Sequence, residues 1–269
     1  MTEYVATSLT RRLLARMQAT HERRRISVFS GPPGIGKTTA IDRFAASNRG
    51  GVVPIKVARR NAREVLVLQH TLEAVRHQLT SPFEHAPSSV WELRQDLFGA
   101  LCAWAGAETG PARRGEYPAD AFGRLTLVFD EAQNLSRQAI EALRYWNDAD
   151  RCYAPFPVGL VFVGNNEFSL AGSAEESVIS AAVADRALYM QALDYDDVTD
   201  DDLRLFIDAR VEIEESALQL LLRALRGPRS VRSFRRLADL LTELEAEAGA
   251  EPINANLMRA GLAYSGGRE

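Results

Sequence analysis

The chain has 269 residues, enough to bury a sizeable core in one large or two modest domains, with 46% hydrophobic and 25% charged content typical of globular proteins. A net charge of −4 excludes a strong global field for nucleic acid, two cysteines exclude a disulfide scaffold, and four scattered histidines offer no metal cluster. No apolar run approaches the ~20 residues of a membrane span, and residues 1–25 are polar and Arg-rich without a signal-peptide core, so a cytoplasmic, reduced setting is expected.

Residues 8–22 predict a leading amphipathic helix, with Leu9, Leu13, Leu14 and Met17 on one face. Residues 26–30 form a short β-rich run, and Thr38–Ala46 has helical spacing. Between them lies Gly31-Pro32-Pro33-Gly34-Ile35-Gly36-Lys37-Thr38, a full G-x-x-x-x-G-K-T match followed by Thr39. Strand, glycine-rich turn and helix start is the setting in which this motif binds phosphate. Its glycines let backbone N–H groups curl around an anion at a helix N-terminus, where the dipole favours negative charge. Lys37 is one of two lysines in a chain that otherwise writes its cations as Arg, the other being Lys56. A compact ammonium between phosphates is what the loop needs. Lys37 is expected to reach the β- and γ-phosphates of a nucleoside triphosphate, and Thr38 to give its hydroxyl to Mg²⁺.

Val52–Val57 predicts a second strand, followed by helices over about 61–79 and 88–105 and an exposed loop over 106–121. Leu125–Phe129 is a buried strand whose end carries Asp130 and Glu131. Side chains alternate along a strand, so the two neighbouring acids can hold different jobs. Asp130 is expected to orient Mg²⁺ and Glu131 to polarise the attacking water. A helix over Ser136–Ala149 precedes another buried strand, Val158–Val163, which ends in Gly164-Asn165-Asn166. Asn165 is the better choice for an amide that reports on the γ-phosphate. Ser173–Ala184 reads as a helix ending at Asp185-Arg186, and Ala187–Gln191 as the last strand. Arg186 is placed to serve as an arginine finger across a subunit boundary, the alternative being a local pair with Asp185.

Apolar runs separated by helices indicate an α/β fold, a parallel sheet with helices on both faces. From about Asp196 the pattern is helical only, with helices near 199–209, 215–226, 230–247 and 254–263. A nucleotide-binding domain over 1–195 and a small all-helical lid over 196–269 are expected. In the lid, Arg232 or Arg229 would reach back to the nucleotide, Arg232 being slightly favoured.

With these motifs in this order, the whole chain resembles the P-loop NTPases of the AAA+ class. The phrases Ser30–Thr39, Val128-Phe129-Asp130-Glu131-Ala132-Gln133-Asn134-Leu135 and Val161–Asn165 look most like the DNA-transposition regulators typified by the phage Mu B protein and TnsC. The resemblance implies an ATPase using ATP and Mg²⁺ that assembles as a homo-oligomeric ring or filament on duplex DNA and delivers that DNA to a transposase. It carries phosphate and metal binding onto Lys37 and Thr38, metal and water roles onto Asp130 and Glu131, and the first sensor onto Asn165. The finger falls on Arg186 and the second sensor on Arg232. The Mu B protein has a helix-turn-helix region before its ATPase core, and here Gly31 comes too early to leave room for one. DNA contacts would then come from the core itself, with Arg59, Arg60 and Arg63 as first choice. A helicase-loader or secretion-associated ATPase acting on protein shares every residue of the site. A nucleotide-gated scaffold is the third class, and a small-molecule kinase is disfavoured by the Asp-Glu pair.

Overall fold

The computed structural model describes residues 4–58, 64–78, 89–104, 124–148, 157–166, 168, 179–226 and 232–265. The chain divides into two compact units. One comprises Leu14–Gly31 and Ala40–Ala192, the other Met1–Leu13, Pro32–Thr39 and Leu193–Glu269.

Up to residue 192 the element order is α1 (Ser8–Arg23), β1 (Ile26–Ser30), α2 (Lys37–Ser47), β2 (Val52–Lys56), α3 (Glu64–Gln78), α4 (Val90–Trp104), β3 (Thr126–Asp130), α5 (Arg137–Arg144), β4 (Gly159–Gly164), α6 (Ala181–Arg186) and β5 (Ala187–Ala192). The strands form a five-stranded parallel sheet in the order β2-β3-β4-β1-β5, with helices on both faces as the uninterrupted apolar runs require. β1, β3 and β4 are buried along their whole length, whereas β2 exposes Pro54 and Lys56. Pro54 lacks the N–H that a central strand must donate, and an edge strand tolerates that loss. Phe129 and Phe162 stack across neighbouring strands at 5.4 Å, and with Trp146 and Phe168 they anchor the core. Burying each such side chain contributes roughly 1.5–3 kcal/mol.

Within the described residues the predicted elements are present, most with shifted ends, and the first part of the helix expected over Ser173–Ala184 lies outside those residues. The helix expected over Ser136–Ala149 stops at Arg144 because the next residues are held by other bonds. Trp146 turns into the core, its carbonyl accepts the Val158 N–H (2.9 Å), and the Asn147 amide donates to the carbonyls of Arg24 (2.7 Å) and Val158 (2.9 Å). Near the last strand, helix α6 is capped by Ser180, includes Arg186, and runs directly into β5. The exposed loop expected over 106–121 lies outside the described residues.

The second unit carries α7 (Asp200–Asp208), α8 (Glu215–Ala224), α9 (Phe234–Ala248) and α10 (Ala255–Ser265). Thr199 and Asp202 form a reciprocal capping box at the start of α7. Asp202 is buried, and its carboxylate also accepts the Ser8 backbone N–H (2.5 Å) and hydroxyl (2.7 Å). That pairing answers the cost of burying a charge. Leu203, Ile207, Leu221, Leu241, Leu244 and Met258 form the apolar interior, with Phe206 against Phe234 at 4.7 Å. The helix expected from residue 230 begins instead at Phe234, capped by Ser233, so Arg232 precedes it. Among the described residues no helix is long and apolar enough to cross a membrane.

Candidate active site

The phosphate loop leaves the carboxyl end of β1. Ser30 stands in register with Gly164, and the Gly31 N–H donates to the Gly164 carbonyl at 3.3 Å. β4 in turn pairs Val163 with Asp130. The root of the loop, the tip of β4 and the acidic end of β3 therefore share one edge of the sheet, where ligands bind in open parallel sheets.

Within the loop, Gly34 (φ +80°) and Gly36 (φ +94°) adopt left-handed backbone that L side chains rarely take. Gly34 has a second constraint: a Cβ there would overlap the Ser233 hydroxyl and come within 3.2 Å of Ser233 Cβ. Its carbonyl accepts the Phe234 N–H at 2.8 Å, and the Tyr195 hydroxyl donates to the Pro33 carbonyl at 3.3 Å. Ile35 is buried and pins the turn, while Thr38 and Thr39 are exposed. Lys37 opens α2, and its ammonium donates to the Pro32 carbonyl at 2.7 Å. Two left-handed glycines, a lysine and a threonine hydroxyl at the start of a helix fit a magnesium-bound triphosphate. Mg²⁺ keeps several waters and takes one or two carboxylates plus phosphate oxygens, so it asks for no all-protein cage.

Asp130 is the last residue of β3 and is buried; its carboxylate accepts the Glu131 N–H at 3.0 Å. Glu131 lies beyond the strand, in left-handed conformation at φ 58° and ψ 40°. Glu131 thus falls outside the strand, which corrects the expectation that strand alternation sets the two neighbouring acids apart. A non-glycine residue in this region costs on the order of 1–3 kcal/mol and persists only where its surroundings hold it. Here the holding elements are visible. A single 3₁₀ turn, Ala132–Asn134, follows with Ala132 and then Leu135 buried. The Asn134 amide donates to the Val57 carbonyl just past β2 (2.7 Å). Gln133 donates to Glu131 Oε2 (2.5 Å) and accepts the Asn165 N–H (3.0 Å).

Arg186 ends α6. Its guanidinium donates to the Ala182 carbonyl (3.1 Å) and lies 3.7 Å from the Asp148 carboxylate, which also faces Arg144 at 3.5 Å. Its local acidic partner is thus Asp148 of the preceding segment. Glu141 in the same cluster is pushed up by burial but held below the usual carboxylate range by hydrogen bonds from Ser180 and Arg144. In the helical unit, Arg232 donates to the carbonyls of Val198 (2.6 Å) and Leu225 (3.3 Å) and pairs with Asp200 at 3.1 Å. Arg235, on the first turn of α9, has its Cβ 3.4 Å from where a Cβ on Gly34 would stand. Arg59, Arg60, Arg63 and Arg229 lie outside the described residues.

No role was expected from the sequence for Gln133, Asn134, Tyr195, Ser233 or Arg235. Two amides directly after an acidic strand end are a readable signal. The partners of Ser233 and Tyr195 lie over 160 residues away in sequence, and local pattern carries no trace of them.

Residues 20–170 match the family model described as AAA domain. No curated protein matches the chain. Among solved structures it is similar to the Pyrobaculum aerophilum Cdc6p (18% identity, TM-score 0.61, 94% of this chain and 66% of that one). It is also similar to the Aeropyrum pernix ORC2 protein in ADPNP–ADP complexes (17%, 0.59, 95% and 66%). A third is the Thermotoga maritima RuvB Holliday junction branch migration motor (15%, 0.52, 97% and 70%). The chain thus spans about two thirds of the length of these structures, and at such identities they share its fold.

Proposed function

We propose that this chain, a member of the AAA domain family, is an ATP-dependent, largely sequence-nonspecific DNA-binding ATPase that selects or delivers target DNA to a transposase, a reading carried by the resemblance of its motifs to transposition regulators and not by family membership. Like other AAA domains it is an ATPase using ATP with Mg²⁺. The observation that carries the site assignment is the strained backbone of Glu131, one residue past the buried Asp130 and fastened by Gln133 and Asn134. Backbone strain that the surroundings hold in place clusters at working sites.

In this assignment the loop N–H groups and Lys37 bind and orient the phosphates, and Thr38 and Asp130 hold Mg²⁺. Held there, the metal would supply positive charge to offset that of the phosphates. Glu131 accepts a proton from the water that attacks the γ-phosphate, and Asn165 orients the same oxygens from the tip of β4. Arg232, which meets the Val198 and Leu225 carbonyls and the Asp200 carboxylate just before α9, is the second sensor that couples the helical unit to the nucleotide. Arg186, half-buried at the α6–β5 junction and held by the Ala182 carbonyl and a long, weak pair with Asp148, would turn to a neighbouring subunit at little cost. ATP binding then favours a ring or filament, and hydrolysis dissolves it.

Action on DNA rests on the resemblance of the Ser30–Thr39 and Val128–Leu135 phrases to transposition regulators. It is supported by a Holliday junction motor among the structures of like fold. The deciding experiment is binding to random duplex with and without ATP across a salt series, with electron microscopy of the same samples. An ATP-dependent affinity that falls steeply with salt, with protein ordered on the duplex, is the expected result. Bare duplex beside free protein at low salt would instead favour a loader acting on protein.

A further inference from the structure

We propose that Gln133 is a positioning residue for hydrolysis, whose single amide bridges the Glu131 carboxylate and the Asn165 backbone and so couples the water-activating acid to the tip of β4. The inference rests on the proposed role of Glu131 and adds to it a means of control.

The orientation of the amide follows from its two partners. Oε1 faces an N–H donor and Nε2 faces a carboxylate oxygen, and exchanging them would set donor against donor and oxygen against carboxylate. The 3₁₀ turn that carries Gln133 is tied on its other side, through Asn134, to the carbonyl of Val57. Val57 in turn donates its N–H to the Asp130 carbonyl at 3.0 Å. Glu131 therefore sits within one hydrogen-bonded frame made from the ends of β2, β3 and β4.

The chemistry of the amide suits the task. Gln133 is neutral, so it fixes a carboxylate without the full opposing charge that an arginine would bring. It occupies one acceptor position on Oε2, and a carboxylate offers about four, which leaves Oε1 for a water. Any movement of the β4 tip pulls on Oε1 of the amide and, through its Nε2, on the acid. The residue proposed to sense the γ-phosphate and the residue proposed to activate water are thereby linked by one rigid planar group.

The test measures phosphate release and ATP affinity for the full chain carrying Gln133→Ala or Gln133→Glu, each variant first shown to be folded by circular dichroism. Gln133→Glu keeps the shape and the acceptor for Asn165 but opposes one carboxylate with another. Both variants should lose about 100-fold in kcat, the cost of misplacing a catalytic group by ~1 Å, with KM for ATP within about threefold of wild type. Gln133→Glu should be no faster than Gln133→Ala, and Gln133→Ala added to Glu131→Gln should change the residual rate by less than about twofold. Wild-type kcat in Gln133→Glu would show that only shape matters at this position and would overturn the proposal. So would a raised KM at unchanged kcat. Absence of turnover in the wild-type chain would count against the ATPase assignment itself, a separate outcome.

Discussion

Gly34→Ala probes the tie between the phosphate loop and α9. Alanine at φ +80° costs roughly 1–2 kcal/mol in backbone conformation. Overlap with Ser233, whose Cβ lies 3.2 Å from the new Cβ, adds about 1–3 kcal/mol, as overpacked sites do. The stiffer unfolded chain returns ~0.4–1 kcal/mol, leaving a net loss of about 2–4 kcal/mol. Gly36→Ala meets nothing within 4 Å and bears only the conformational cost, which the same unfolded-chain gain reduces to about 0.5–1 kcal/mol. Urea unfolding without nucleotide should rank them in that order. Ser233→Gly removes both overlapping atoms while costing only a few tenths of a kcal/mol at the helix cap. Placed in the Gly34→Ala background, it should recover about 1–3 kcal/mol as a coupling energy. If Gly34→Ala unfolds like Gly36→Ala, or Ser233→Gly recovers nothing, the close approach of loop and helix is refuted.

Lys37→Ala should weaken ATP binding by roughly 100-fold or more in calorimetry, since it removes the charged donor between the phosphates. Arg186→Ala should lower turnover by about 10³-fold while leaving nucleotide affinity of the isolated subunit intact, and unchanged turnover would remove the finger assignment. Burial holds the His21 imidazole below its ordinary value of 6.5, with Arg124 and Arg24 adding to the effect and Glu22 opposing it. Because the native state disfavours the protonated ring, the unfolded chain takes up the proton first. Stability should therefore fall as pH drops below about 6.5 and level off under the depressed native value. His21→Gln should flatten that slope in a series of melting curves.

The site was legible in the sequence where chemistry constrains adjacent letters. A loop that must bend twice at positive φ and end in an ammonium leaves little choice at Gly34, Gly36 and Lys37. An apolar strand ending in Asp130-Glu131 is nearly as restrictive. Strand ends shifted by one residue because edges are set by partners: Asp130 joins β3 through Val163 and Lys56 across the sheet. The left-handed turn at Glu131 was not legible, since no glycine marks it and it is held by side-chain bonds such as those of Gln133 and Asn134. The early stop of α5 was hidden for a like reason, as Asn147 takes its partners from Arg24 and Val158. Arg232 reads as a reaching cation in sequence, and nothing local shows that its guanidinium meets the carbonyls of Val198 and Leu225 and the Asp200 carboxylate.

The most direct measurement pairs ATP binding with single-turnover phosphate release, in magnesium, for the wild-type chain and Glu131→Gln. Both should bind ATP with similar affinity, and the variant should release phosphate about 10²- to 10⁴-fold more slowly. Equal release rates, or no ATP bound by the wild-type chain, would contradict a carboxylate readying water beside a loop-held triphosphate.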